Sequence, residues 1–166
     1  MKSTKSQRYL GNILTVSGTN RDSIEDRRNK GWGKLADITG ILVQLPNIRK
    51  IEIGLKLRDA KLINGMIYST EAWSRISETE VTRLEQVDLA LLRSLVEAHS
   101  KCNKAFILLE FGVISFSYLI MIRRIMYHHH IIGRDNDEII KKIYIKQKEE
   151  YLKGDWFQTL KQILTQ

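Results

Sequence analysis

The chain has 166 residues, 43% hydrophobic and 28% charged, with one proline and no low-complexity tract, which argues against a disordered polypeptide and leaves room for one ordinary domain or two small helical units. Lys and Arg outnumber Asp and Glu by 27 to 19, giving a net charge of +8 and a pI near 9.6. That balance suits a phosphate-rich partner, since each neutralised phosphate releases counterions. The single Cys102 excludes an intrachain disulfide and any site of several thiolates, and it fits a reducing intracellular compartment, nuclear or cytoplasmic.

The opening MKSTKSQRYLGNILTV lacks a long apolar core and a small-residue cleavage site, so no secretory signal is expected. Tyr9 to Val16 reads as a strand, and Ser17-Gly18-Thr19-Asn20 as a turn. One short strand cannot stand alone, and it is expected to complete a sheet with something outside this chain. From Asp22 a helical period takes over, with Ile24, Gly31, Leu35, Ile38, Leu42 and Leu45 on one stripe until Pro46 ends it. Gly31 on that stripe would let another backbone come close.

A second helix is predicted from Ile48 to about Tyr68, apolar on two sides through Ile51, Leu55, Leu62 and Met66 and through Ile53, Ala60, Ile63 and Ile67. Such a helix belongs at the centre of a bundle. Trp73 is expected to wall the core. Ser77 and Glu80, framed by Ile76 and Val81, form a capping box with a hydrophobic staple, opening a third helix that runs to about Ala98. Its apolar face carries Leu84, Val87, Leu91 and Leu95; Asp88 lies near the seam as a buried partner for a base such as Arg58, and Glu78, Glu85 and Arg93 are expected to face outward.

After a polar joint at residues 99–103, Ala105 to Ile122 has near-spanning apolar length. It contains Glu110 and Gly112, and two buried helices meeting at Gly112 account for it without a membrane. Gly112 and Gly133 are expected to close a fourth and a fifth helix in left-handed conformation. Asp135 with Glu138, and Asp155 with Gln158, have the spacing of further helix starts. The predicted fold is mostly α: a helical bundle of about six or seven helices with one short N-terminal β-strand or hairpin.

Arg27, Lys30 and Lys34 share one side of the first helix, with Arg21, Arg28 and Trp32 nearby, and Lys56, Arg58 and Lys61 repeat the theme on the second. Cations in a row can follow a phosphate backbone, while the bland alternative is a solvated face. The nucleic-acid candidates are therefore Arg21, Arg27, Arg28, Lys30, Lys34, Lys56 and Lys61. His128-His129-His130 cannot converge on one ion, because consecutive helical residues point about 100° apart. Asp135-Asn136-Asp137 lacks the glycine and the bidentate Glu of a calcium loop. Glu110 is the carboxylate expected to pair with one of Arg123 and Arg124, as a structural pair rather than in a catalytic role. No Gly-framed serine, Walker loop or dinucleotide pattern occurs, and no metal or cofactor is expected.

Three stretches, RYLGNILTVSGTNRDSIEDRRNKGWGKLADITGIL, LRDAKLINGMIYSTEAWSRISETEVTRLEQVDLALLRSL and LLEFGVISFSYLIMIRRIMYHHHIIGRDNDEIIKKI, followed by GDW, resemble the part of non-LTR (LINE-type) retrotransposon polyproteins that follows the reverse transcriptase active site. The resemblance covers Tyr9 to Trp156 in the same order and spacing. It implies that residues 1–20 end a palm-like strand and turn, that 21–99 form a thumb-like helical bundle gripping the template–primer, and that 100–166 form a helical connection. The basic residues would then meet the backbone of an RNA or RNA–DNA duplex, read by shape and phosphate rather than by base. The missing palm and fingers of the parent polymerase would be the other partner, with no membrane involved.

The departures are equally informative. No Asp-Asp pair occurs in this chain, whereas polymerase chemistry of that family needs palm aspartates to hold two metal ions. The palm and fingers would lie upstream, making Met1 an internal methionine. Gly11-Asn12 stands where the family usually has Gly-Asp, and Asn103 and Ser115 stand where it has prolines. The expectation is a non-catalytic fragment of an RNA-directed DNA polymerase that binds duplex backbone. The alternative is a stand-alone helical protein-interaction module docking through the apolar residues 105–122.

Overall fold

The computed structural model describes residues 6–9, 12–15, 20–73, 76–150 and 160–161. The N-terminal segment is an antiparallel hairpin rather than one strand: β1 (Ser6–Tyr9) pairs with β2 (Asn12–Thr15), placing Tyr9 opposite Asn12 and Ser6 opposite Thr15. The expected strand partner from outside the chain is thus supplied within it. Ser23 binds the hairpin to the first helix, its hydroxyl accepting from the Ile13 N–H at 2.8 Å and donating to the Ile13 carbonyl at 3.1 Å.

Helix α1 (Arg21–Val43) stops just before Pro46 and buries Ile24, Gly31, Ile38 and Leu42, the predicted stripe. What comes close at Gly31 is not backbone: a Cβ there would lie 2.8 Å from Met66 Sδ and 3.3 Å from Val87 Cγ1. The second predicted helix is broken into three. α2 (Asn47–Leu57) gives way to a π-helical stretch (Arg58–Ile63) and then to the short α3 (Asn64–Ile67). Leu62, Ile63, Met66 and Ile67 are buried as expected, while Ile51 and Ala60, expected inside, are exposed. A 3-10 turn (Thr70–Ala72) follows and leads to Trp73, which is buried.

Helix α4 (Glu78–Leu95) begins with the predicted capping box: Glu80 N–H donates to Ser77 Oγ at 3.3 Å, and Ser77 N–H donates to the Glu80 carboxylate at 2.8 Å. Its apolar face meets α1, Phe116 and Ile120 in one core with Trp73 and the 62–67 segment. Burying each such side chain contributes roughly 1.5–3 kcal/mol. Asp88, fully buried, holds Arg58 through two hydrogen bonds of 2.6 and 2.8 Å, as the sequence indicated. Burial opposes the Arg58 charge, but the bonds to Asp88 and the nearby Asp59 outweigh it and raise its pKa.

Helix α5 (Lys104–Phe111) is capped by Asn103 and ends at Gly112, which is left-handed with φ 60° as predicted. Helix α6 (Phe116–Ile132) follows; its C-cap, Gly133, keeps φ −73°, so the left-handed expectation fails there. Instead Lys141 Nζ donates to the Ile132 carbonyl at 2.6 Å, satisfying the helix end with a cation. Helix α7 (Ile139–Glu150) starts at the residue after Glu138, too late for Asp135 to be its N-cap. The predicted start at Asp155 and Gln158 lies outside the described residues.

Glu85 departs most from expectation. Rather than facing outward it is buried, accepting from the Phe116 N–H at 3.0 Å and from Lys104 Nζ at 2.6 Å. A carboxylate at the first N–H groups of α6 meets both an orphan donor and the positive end of the helix dipole, which offsets its desolvation. The expected pairing of Glu110 with Arg123 or Arg124 is also not formed: Glu110 is exposed, and both arginines find other partners. Arg124 is buried and donates to the Trp73 carbonyl at 2.6 Å, while Arg123 lies 4.0 Å from Glu71.

Candidate nucleic-acid interface

A cleft opens between α1 and the helix formed by the π stretch and α3, lined by Arg27, Lys30, Lys34, Asp37, Ala60, Lys61, Asn64, Gly65 and Tyr68. Two features of sequence let it form. Lys30 and Lys34 stand one turn apart on α1, so their ammonium groups project to the same side. Gly65 supplies the space opposite: a Cβ there would collide with the Lys34 ammonium, which lies across the helix and donates to the Lys61 carbonyl at 3.0 Å.

The seven predicted residues separate into three groups. Lys30, Lys34 and Lys61 line the open cleft, Lys30 being 2.7 Å from Asp26. Among the described residues neither Lys34 nor Lys61 has a carboxylate within salt-bridge distance, so their charge is free to meet an anion. Arg27 contributes to the cleft floor but is buried, which corrects its expected place on a solvent-facing row. Its guanidinium donates to the Asn12 side-chain oxygen at 2.9 Å and to the Gly65 carbonyl at 3.2 Å, and sits 5.5 Å from the Tyr68 ring and 5.4 Å from Trp73. Burial lowers its pKa, against the pull of Asp26 and Glu71.

The remaining three stand away from the cleft. Arg28 pairs with Glu25 at 2.9 Å, both half-buried, the exposed Lys56 pairs with the exposed Glu52 at 2.6 Å, and Arg21 is exposed in the first turn of α1. An exposed pair such as Lys56–Glu52 is worth little, and both pairs already carry their counter-charge. Periodicity along one helix could not separate these groups, because the cleft is made by a second helix packing across the first.

No protein-family model, curated protein or solved structure matches this chain. The site therefore stands on its own geometry. Among the described residues no group of three or more His, Cys, Asp or Glu could hold a metal ion. Nor is any single helix there long and apolar enough to cross a membrane, although α5 and α6 together pass by length and composition, with a bend of 64° between them.

Several residues that shape the cleft escaped sequence reasoning. Asn12 ties the hairpin to α1 and to both ends of the 3-10 turn, accepting from Arg27 and from Trp73 Nε1 at 3.3 Å and donating to Ser69 Oγ at 2.6 Å. The Asn64-Gly65 pair inside a helical pattern was the one available signal, since a glycine there costs helix stability unless something needs the space. Tyr68, at the end of α3, carried none.

Proposed function

We propose that this chain is a non-catalytic, thumb-like helical unit, resembling the C-terminal part of a retrotransposon RNA-directed DNA polymerase, that holds the backbone of an RNA or RNA–DNA duplex. The observation that supports this most is the convergence of Lys34 and Lys61, each without a carboxylate neighbour among the described residues, on one concave surface shared with Lys30. Phosphate contacts of this kind give affinity without base readout and weaken as salt rises. Changing Lys34 and Lys61 to Glu is expected to weaken duplex binding at least tenfold and to flatten the salt dependence by about one unit of slope per lysine. A filter-binding titration with unchanged affinity and slope in the double variant refutes the reading.

A second reading rests on different residues. Phe106 and Leu109 on α5 are 69% and 78% exposed, with Tyr118 and Met126 exposed on α6, an apolar surface that suits docking of a protein partner. Under this reading Phe106→Asp with Leu109→Asp abolishes partner capture while the lysine changes leave it intact.

A further inference from the structure

Within the cleft one side chain is unlike the others. Tyr68 is the aromatic member of a lining otherwise made of charged, amide and small residues, and it is 53% exposed. Its ring is not held by the core: it leaves α3 where the backbone turns extended, and Arg27 lies beside it at 5.5 Å. The Arg27 cation over one face helps hold the ring where it contributes to the cleft lining. An open ring beside lysines is the combination by which proteins hold single-stranded nucleic acid, with the backbone on the cations and a base on the ring.

Geometry separates this from contact with paired bases. Inside a duplex both faces of every base are covered by neighbours, so a side-chain ring finds a free face only on an unpaired or terminal base. The cleft is an open groove of about 660 Å³, within the size range of pockets for small ligands, and a single nucleotide fits it. Its cationic track is also short. Asp37 lines the far end, ten residues along α1 from Arg27 or about 15 Å, and its carboxylate repels a further phosphate.

We infer that the cleft receives an unpaired nucleotide next to a duplex, its base stacked on Tyr68 and its flanking phosphates on Lys34 and Lys61. This rests on the nucleic-acid reading and narrows it, from a surface that follows a backbone to one that prefers a strand end or single-stranded tail. Duplex phosphates outside the cleft are then secondary contacts.

The test compares three labelled RNA–DNA duplexes against the full chain by fluorescence anisotropy: blunt, with a short single-stranded tail, and with the same tail made abasic. The intact tail is expected to bind about tenfold more tightly than the abasic one. Tyr68→Ala should erase that difference, and Tyr68→Phe, which keeps the ring, should preserve it; circular dichroism of both variants checks that the helices persist. Equal affinity of the wild-type chain for all three duplexes, or a preference that survives Tyr68→Ala, overturns the stacking inference and leaves the duplex reading standing. Failure to bind any of the three, or affinity unaffected by changing Lys34 and Lys61 to Glu, overturns the nucleic-acid reading itself and the stacking inference with it.

Discussion

Arg124 is the most exposed to test among single residues, because it is nearly fully buried and, among the described residues, only its Nη2 has a partner, the Trp73 carbonyl. Burial lowers its pKa to about 10. A desolvated cation with one neutral acceptor gains little from its charge, so Arg124→Met is expected to leave stability unchanged or raise it by about 1 kcal/mol, read as the midpoint of urea unfolding. Asp88→Ala should do the opposite. It leaves Arg58 buried with only the exposed Asp59 beside it, and a loss of about 3–5 kcal/mol follows. The two outcomes differ because Arg124→Met removes a buried charge that no carboxylate balances, whereas Asp88→Ala leaves a buried charge behind. Asp88 was legible in the sequence from its position beside an apolar stripe with a base to match. Arg124 was not, since its neighbour Trp73 meets it through a backbone carbonyl, which no side-chain pattern reveals.

Helix packing sets the next scale, and here close approach explains Gly54. A Cβ at Gly54 would come 2.5 Å from Leu95 Cδ2, so α2 and α4 meet at the closest distance a hydrogen allows. Gly54→Ala therefore sets a helix-propensity gain of about 1 kcal/mol against overpacking of about 1–3 kcal/mol. A net loss of stability is expected, and thermal melting will show it. At the far end of the chain α6 and α7 are joined by His128 Nε2 and the Tyr144 hydroxyl at 3.1 Å. Burial lowers the His128 pKa from 6.5, helped by His129 and Lys141. Because the unfolded chain then binds the proton more readily, stability should decline as pH falls below about 6.5 and level off below the folded-state pKa. His128→Gln is expected to flatten melting curves recorded between pH 7 and 5. The amphipathic periods announced α1 and α4 well, and the Ser77 box marked its start to the residue. The π stretch stayed hidden because it leaves composition untouched and the expected apolar positions around it, Leu62, Ile63, Met66 and Ile67, still buried.

Across the whole molecule, charge and apolar surface occupy different places. The lysine cleft lies between α1 and the 58–68 segment, whereas the exposed Phe106, Leu109 and Met126 belong to α5 and α6. Changes at one should therefore leave the other's binding intact, since distant sites act additively. A combined variant, Lys34→Glu with Leu109→Asp, is expected to show the sum of the two single losses; a larger effect would mean that the surfaces serve one partner. The mostly α class could be read from composition and period alone. The cleft could not, because it depends on which faces of two helices meet, and that is decided by Gly31, Gly65 and the π stretch together.

The small hairpin also bears on how the chain behaves in a crowded solution. The backbone N–H and carbonyl of Ile13 are both engaged by the Ser23 hydroxyl. Those are the groups through which β2 would otherwise recruit another strand, so α1 seals that margin of the sheet with one oxygen atom. Ser23→Ala reopens it, and the consequence is association rather than unfolding: light scattering should rise with protein concentration while helicity stays the same.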